Sequence, residues 1–175
     1  MKPPAGAPLL WCNGCVESLF RIDGRRDDED TRMTTMSDFN SMVIAEFRDN
    51  GGHVATAGFG DNLVVLHSIG ARSGEVRLNP LFAISENGTW LVVGSAAGAV
   101  KDPAWVHNLR AHPRIDMEVP GDDATVRTIA VDVTEVPDDE WETHWAKFTS
   151  ASPGFLEYTT TAEGRQFPIF RLTPA

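Results

Sequence analysis

Apolar positions along this chain change period several times, and each change predicts an element. Phe39, Met42, Val43 and Phe47 recur at helical spacing behind Ser37, a residue able to cap them, and Gly51-Gly52 supply the left-handed stop, so a first helix is expected from Ser37. Leu63 to Ile69 is a short apolar run of the kind that buried strands show. The turn-rich stretch Gly70-Ala71-Arg72-Ser73-Gly74 and a second run, Val76 to Ser85, predict that the two strands pair as a hairpin. Asn87-Gly88 predicts a type I′ turn, with Trp90 to Gly94 returning as the next strand.

Asp102 followed by Pro103 reads as a helix opening, cap and then first-turn proline, and His112-Pro113 closes that short helix after Leu109. Ile115, Met117 and Val119 alternate with polar residues, and Pro120-Gly121-Asp122 turns the chain. The strand that follows, Val126 to Val133, slips in apolar phase between Val126 and Ile129, where a bulge is expected. Pro137 and three acidic residues open a last helix, whose Trp141, Trp145 and Phe148 form a core stripe, and Phe167 to Leu172 is a final short strand. Strands outnumber helices and follow one another as hairpins. The expected fold is therefore α+β, mainly β, an antiparallel barrel with short flanking helices and not a Rossmann sheet.

Residues 1–36 break the pattern, with Pro3, Pro4, Pro8 and the charged run Asp23 to Asp30 but no sustained apolar period. Such a composition cannot bury enough surface to offset the entropy of ordering it, so 1–36 is expected to be a disordered arm or an over-long reading of the start, and 37–175 one domain. A length of 175 residues and a hydrophobic fraction of 42% suit one core. The formal charge of −10 disfavours nucleic acid and anionic membranes as partners. With no apolar run near the roughly 20 residues that span a bilayer and no secretory signal, the chain reads as cytoplasmic. Cys12 and Cys15 form a lone C-x-x-C in the arm, more in keeping with an incidental pair than with a redox or zinc site, and no metal site is expected elsewhere.

Against the acidic background, the stretch from Leu63 to Arg114 carries Arg72, Arg77, Lys101, Arg110 and Arg114 against Glu75, Glu86 and Asp102, five minus three, a local excess of about +2. The Gly70 to Gly74 loop can present backbone N–H groups, a hydroxyl and a guanidinium together, a donor set that suits phosphate, although such a turn is more often simply solvated. It lacks the ending of a Walker A loop. A second cluster, Gly94-Ser95-Ala96-Ala97-Gly98, has the small residues that let a flat ligand approach the backbone. With the N-terminal amides of the helix that follows near that spot, a ligand groove is expected, the alternative being that Trp105 and Leu109 pack the core and His107 bonds locally. No nucleophile constellation is present in the sequence.

In order along the chain, these pieces resemble the deazaflavin-dependent nitroreductase family, small split β-barrel proteins with an FMN-binding-like fold. The likeness rests on Phe39 to Gly52, Leu66 to Leu81 with its Gly-Ala-Arg-Ser-Gly and Asn79-Pro80-Leu81, Ser95 to Leu109 with Pro103-Ala-Trp-Val-His-Asn-Leu, His112-Pro113, and Tyr158 to Leu172. It implies that Arg72, Ser73, Gly74 and Arg77 receive the phosphate and acidic tail of coenzyme F420, an 8-hydroxy-5-deazaflavin. Pro80, Ser95, Ala96 and Gly98 would line its ring, Lys101 and Trp105 would flank the pocket, and Tyr158 or solvent would supply the proton that completes reduction. The implied activity is hydride transfer from F420H2 to a quinone or another electron-poor, nitroaromatic-like molecule, with peripheral membrane association if the acceptor is a quinone, and a homodimer as the expected assembly. The alternatives are an FMN-dependent split-barrel oxidoreductase and a non-enzymatic carrier of deazaflavin or lipid. Departures from the family pattern are Ala96 in place of a basic residue, Val100 and Val106 in place of Pro and Tyr, and Ser152 and Phe155 in place of further tyrosines.

Overall fold

The computed structural model describes residues 29–175, and the surroundings of side chains from residue 37 onward. Helix α1 (Glu29–Asp49) is followed by a hairpin of β1 (Leu63–Ile69) and β2 (Val76–Glu86), then β3 (Thr89–Val93) and helix α2 (Ala104–Ala111). Strands β4 (Arg114–Pro120) and β5 (Val126–Glu135), helices α3 (Asp138–Ala151) and α4 (Gly154–Thr161), and β6 (Ile169–Pro174) complete the chain. The strands close a barrel in the order β1-β2-β3-β6-β5-β4, with every neighbouring pair antiparallel. The α+β split-barrel expectation holds. Asn87 and Gly88 both take left-handed φ, 51° and 77°, as the predicted type I′ turn requires.

Strand alternation builds three apolar clusters from one sheet. Val64 and Leu66, Leu81 and Ala83, Phe170 and Leu172 face the barrel interior, which α2 plugs with Trp105, Val106 and Leu109. Leu63 and Val65 face outward beneath α1, against Val43, Ile44 and Phe47. Leu91, Val93 and Ile169 face outward beneath α3 and α4, against Phe148, Phe155 and Tyr158. Helices cover both outer regions, so the run Leu63 to Leu66 is buried on both faces, and that is why its sequence does not alternate. Among the described residues no helix is long and apolar enough to cross a membrane.

Three local expectations are corrected. The first helix begins at Glu29, about two turns ahead of Ser37, whose carbonyl instead accepts from Ser41 Oγ inside the helix at 2.8 Å. A serine cap contributes only about 1 kcal/mol, and no glycine or proline between residues 25 and 50 stops the helix from extending upstream. There is no bulge in β5, because its ladder with β4 runs one-to-one from Arg114↔Asp132 to Pro120↔Val126. The phase slip has another cause: Val126 packs outward on the α1 cluster, whereas Ile129 packs on the barrel core. Finally, Pro103 and not Asp102 occupies the position before α2, and the Asp102 side chain is engaged elsewhere. The cysteine pair lies outside the described residues.

Candidate functional site

The β1–β2 hairpin ends in a tight turn, in which Gly70 N–H donates to the Glu75 carbonyl and Gly74 N–H to the Gly70 carbonyl, each at 2.8 Å. A Cβ on Gly70 would stand 2.4 Å from Ser73 Oγ and would push that hydroxyl out of its place in the turn. Asn108 of α2 fastens this turn to the barrel: its Oδ1 accepts from Ala71 N–H at 3.0 Å, and its Nδ2 donates to Ser68 Oγ at 3.3 Å. Ser68 in turn donates to Asn79 Oδ1 at 2.8 Å. Arg72 and Ser73 therefore project from a braced turn, and Arg72 is exposed with no ion pair among the described residues. Arg77 is different, since Nη2 lies 2.7 Å from Glu75 Oε2 with the two side chains 61% and 67% exposed. A pair so well solvated is weak and can be exchanged for a better anion.

The second cluster forms a strained loop at the end of β3. Ser95 is right-handed (φ −72°, ψ −31°) and fully buried, whereas Ala96 and Ala97 take left-handed φ of 47° and 51°. Each alanine held there costs about 1–2 kcal/mol, and strain of that kind persists only where the surroundings enforce it. The change of hand turns successive N–H groups toward one side, the arrangement of an anion-binding nest. At Gly98 (φ 77°) a Cβ would meet Thr161 Oγ1 at 1.9 Å and the Tyr158 Cα and carbonyl oxygen at 3.0 Å, so α4 lies directly on this loop. Lys101 follows, exposed and without an ion pair among the described residues.

The first cluster leads into β2, and the second leaves β3. Strand β3 pairs with β2 only from Ala83 to Glu86, which leaves the Val76–Phe82 edge of β2 without a neighbour on that side. Arg77 and Pro80 lie on opposite faces of β2 by alternation, so one ligand can meet both only by lying along the open edge. Beyond Pro80 on its outer face come Phe82 and Ile84, the floor of a pocket of about 440 Å³ that Asn62, Ser152 and the ion-paired Lys147 and Glu86 complete. Lys147 holds the Glu86 carboxyl below its ordinary range.

The remaining expected residues are more deeply placed. Trp105, expected from the resemblance to flank the pocket, is 3% exposed and packs edge-on against Phe170 inside the barrel, centroids 5.9 Å apart, so its ring fills the core. Tyr158 is 4% exposed, edge-on to Phe155 at 5.8 Å. Among the described residues no cluster of three or more His, Cys, Asp or Glu could hold a metal ion. One side chain at the site lay in the Tyr158 to Leu172 stretch of the resemblance without being given a role there. Arg165, between α4 and β6, donates to the carbonyls of Gly94, Ser95 and Ala99 and to Asp102.

The exposed cations Arg72 and Lys101 and the change of backbone hand from Ser95 to Ala96 are the features here that could meet an anionic ligand. Comparison with known proteins points the same way. A solved F420-H2 dependent reductase (FDR-A) superposes with a TM-score of 0.54 at 30% identity, over 63% of this chain and 93% of that one. A solved domain-swapped dimer matches with a TM-score of 0.56 at 26% identity, over 79% and 98%. An F420H(2)-dependent quinone reductase of Mycobacterium tuberculosis is 32% identical over 56 residues, which are 32% of this chain and 38% of that relative's length. The family model for F420H(2)-dependent quinone reductase matches residues 41–174, and the chain belongs to that family.

Proposed function

We propose that this protein is an F420H2-dependent reductase of quinones or similar electron-poor small molecules, with the coenzyme lying along the open edge of β2. The observation that carries the reading is that edge itself, with Arg72 in the turn that leads into β2 and the Ser95–Gly98 loop and Lys101 in the segment that leaves β3. Arg72, Ser73, the Gly74 N–H and Arg77 bind the phosphate and acidic tail, with Arg77 leaving Glu75 to do so. Pro80, Ser95, Ala96 and Gly98 support the ring, and the buried Trp105 sets the start of α2 behind them. When bound, the reduced coenzyme supplies a hydride equivalent to the acceptor.

The acceptor occupies the pocket over Phe82 and Ile84, which adjoins Pro80 on the same face of the strand. Phe82 and Ile84 offer an apolar floor to the acceptor ring, and Asn62, Ser152 and the Lys147–Glu86 pair offer polar groups at its margin. Tyr158 donates the proton, its backbone resting against the loop that holds the ring. The family match is to F420H2 enzymes and lends no support to FMN, and the dimeric structural relative favours a homodimer for this chain.

Fluorescence titration with F420, followed by oxidation of F420H2 in the presence of a short-chain quinone, tests the proposal. Binding without oxidation of F420H2 would leave a carrier, and a yellow flavin spectrum in the purified protein would sink the deazaflavin reading. Ile84→Trp, which fills the pocket, is expected to raise the KM for the quinone about tenfold or more while the F420 dissociation constant changes less than about twofold. Equal weakening of both would place the acceptor elsewhere.

A further inference from the structure

Arg165 lies in the connection between α4 and β6, and its side chain is only 14% exposed. Its Nε donates to the Ala99 carbonyl at 2.8 Å, and Nη2 donates to the Ser95 carbonyl at 2.7 Å. Nη1 donates to the Gly94 carbonyl at 3.0 Å and to Asp102 Oδ1 at 2.5 Å. The Phe167 ring backs the guanidinium, 4.7 Å from its carbon. Three carbonyls are thus gathered around one cation, on both sides of the left-handed Ala96, Ala97 and Gly98. Alanine does not hold that conformation by preference, so an external restraint is needed, and this guanidinium is the largest one in view. Asp102 also accepts from Arg110 Nη1 at 3.2 Å, which extends the restraint to α2.

The geometry points to Arg165 as a positioning residue for the coenzyme site: without touching the coenzyme, it holds the Gly94–Asp102 backbone in the shape that presents Ser95, Ala96 and Gly98 to the ring and Lys101 to anionic groups. The inference rests on the F420 reading above. Only a planar fork of five donors meets three divergent carbonyls and a carboxylate together, whereas lysine offers three donors on a single nitrogen. Arg165→Lys therefore keeps the charge and removes the restraint.

Hydrogen–deuterium exchange, thermal melting and F420 titration on the full chain test this with wild type, Arg165→Lys and, as a control, Arg72→Ala. In Arg165→Lys the F420 dissociation constant is expected to rise about tenfold or more and the amides from Ala96 to Lys101 to exchange at least about tenfold faster, with β4 and β5 unchanged and the melting temperature nearly so. Arg72→Ala should weaken binding with no change in loop exchange. Should Arg165→Lys fail to fold, Asp102→Ala removes one of the four acceptors and is expected to speed loop exchange several-fold. Unchanged loop exchange in the variant that folds, or faster exchange spread evenly over the barrel, would overturn the inference. Wild type that does not bind F420 defeats the coenzyme reading, and the positioning role with it, whereas intact F420 affinity in an Arg165→Lys protein with a loosened loop defeats the positioning role alone.

Discussion

At the scale of single residues, the two arginines carried by the hairpin are not equivalent. Arg72 is exposed and unpaired among the described residues, whereas Arg77 is partly neutralised by Glu75 at 2.7 Å. A charge-assisted hydrogen bond to phosphate contributes about 1.5–3 kcal/mol, so Arg72→Ala is expected to raise the F420 dissociation constant about tenfold or more. Arg77→Ala should cost less, and Glu75→Gln should tighten binding by freeing Arg77. Titrations in which Glu75→Gln binds no better than wild type would remove Arg77 from the coenzyme site. Tyr158 offers a second contrast, because the Phe variant keeps the ring edge-on to Phe155 and loses only the hydroxyl. A donor to charge developing on the acceptor contributes about 2–4 kcal/mol in the transition state. Tyr158→Phe is therefore expected to slow single-turnover oxidation of F420H2 at least about tenfold while leaving F420 affinity within about twofold. A variant as fast as wild type would reduce Tyr158 to a packing residue.

At the scale of elements, the question is what holds the helices on the barrel. Helix α1 is bolted by Arg48, which donates through Nε and Nη2 to the two oxygens of Glu118 on β4 at 2.8 and 2.5 Å, while His67 Nε2 on β1 lies 2.7 Å from the same carboxylate. Glu46 of the same helix accepts from the N–H groups of Ala55 and Thr56 and so orders the chain that leads to β1. Glu118 is 4% exposed, and the Arg48 hydrogen bonds hold its carboxyl below the ordinary 4.5, against burial, with His67 lowering it further. Because the folded value is the lower one, ionised Glu118 stabilises the fold fully above the unfolded value of about 4.5, and that contribution is lost as pH falls through the folded value. Glu118→Gln should lower stability near neutral pH by about 2 kcal/mol and flatten the loss of stability on acidification below pH 4.5. Urea melts at several pH values check this, and an acid slope equal to that of wild type would show that the pair does not latch α1.

At the scale of the whole molecule, one closed sheet serves three apolar clusters, and β2 runs on beyond its pairing with β3. Pairing of β2 with β3 stops at Ala83, and the freed edge is what a ligand can lie along. Phe39 packs on the α1 cluster, and the family match begins at residue 41. The stretch before Glu29 carries Pro3, Pro4 and Pro8 and no sustained apolar period. Deleting residues 1–28 is expected to leave the melting temperature and F420 affinity unchanged, while deletion through residue 40 removes Phe39 and should cost several degrees. Differential scanning calorimetry on the two truncations decides it, and a several-degree loss from the shorter one would move the domain boundary upstream.

The sequence by itself determined what depends on a few neighbouring residues. Asn87-Gly88 sets its own turn because both residues tolerate left-handed φ, the Trp141, Trp145 and Phe148 stripe declares its helix by period, and Gly70 to Gly74 marks the hairpin end that carries Arg72. The small residues from Gly94 to Gly98 likewise marked the loop that leaves β3. Decisions that require the chain to return on itself were out of reach. Asp102 has the look of a helix cap until Arg165, 63 residues away, takes its carboxylate, and nothing local to Arg48 announces Glu118, 70 residues on. Val126 suggested a bulge because its outward partner, helix α1, is brought beside it only when the barrel closes. Backbone preference and apolar period act within a turn or two of chain and so can be read in sequence. The partner of a charge, the face that a helix covers and the edge that a sheet leaves open are set by closure of the barrel, which only the tertiary structure decided.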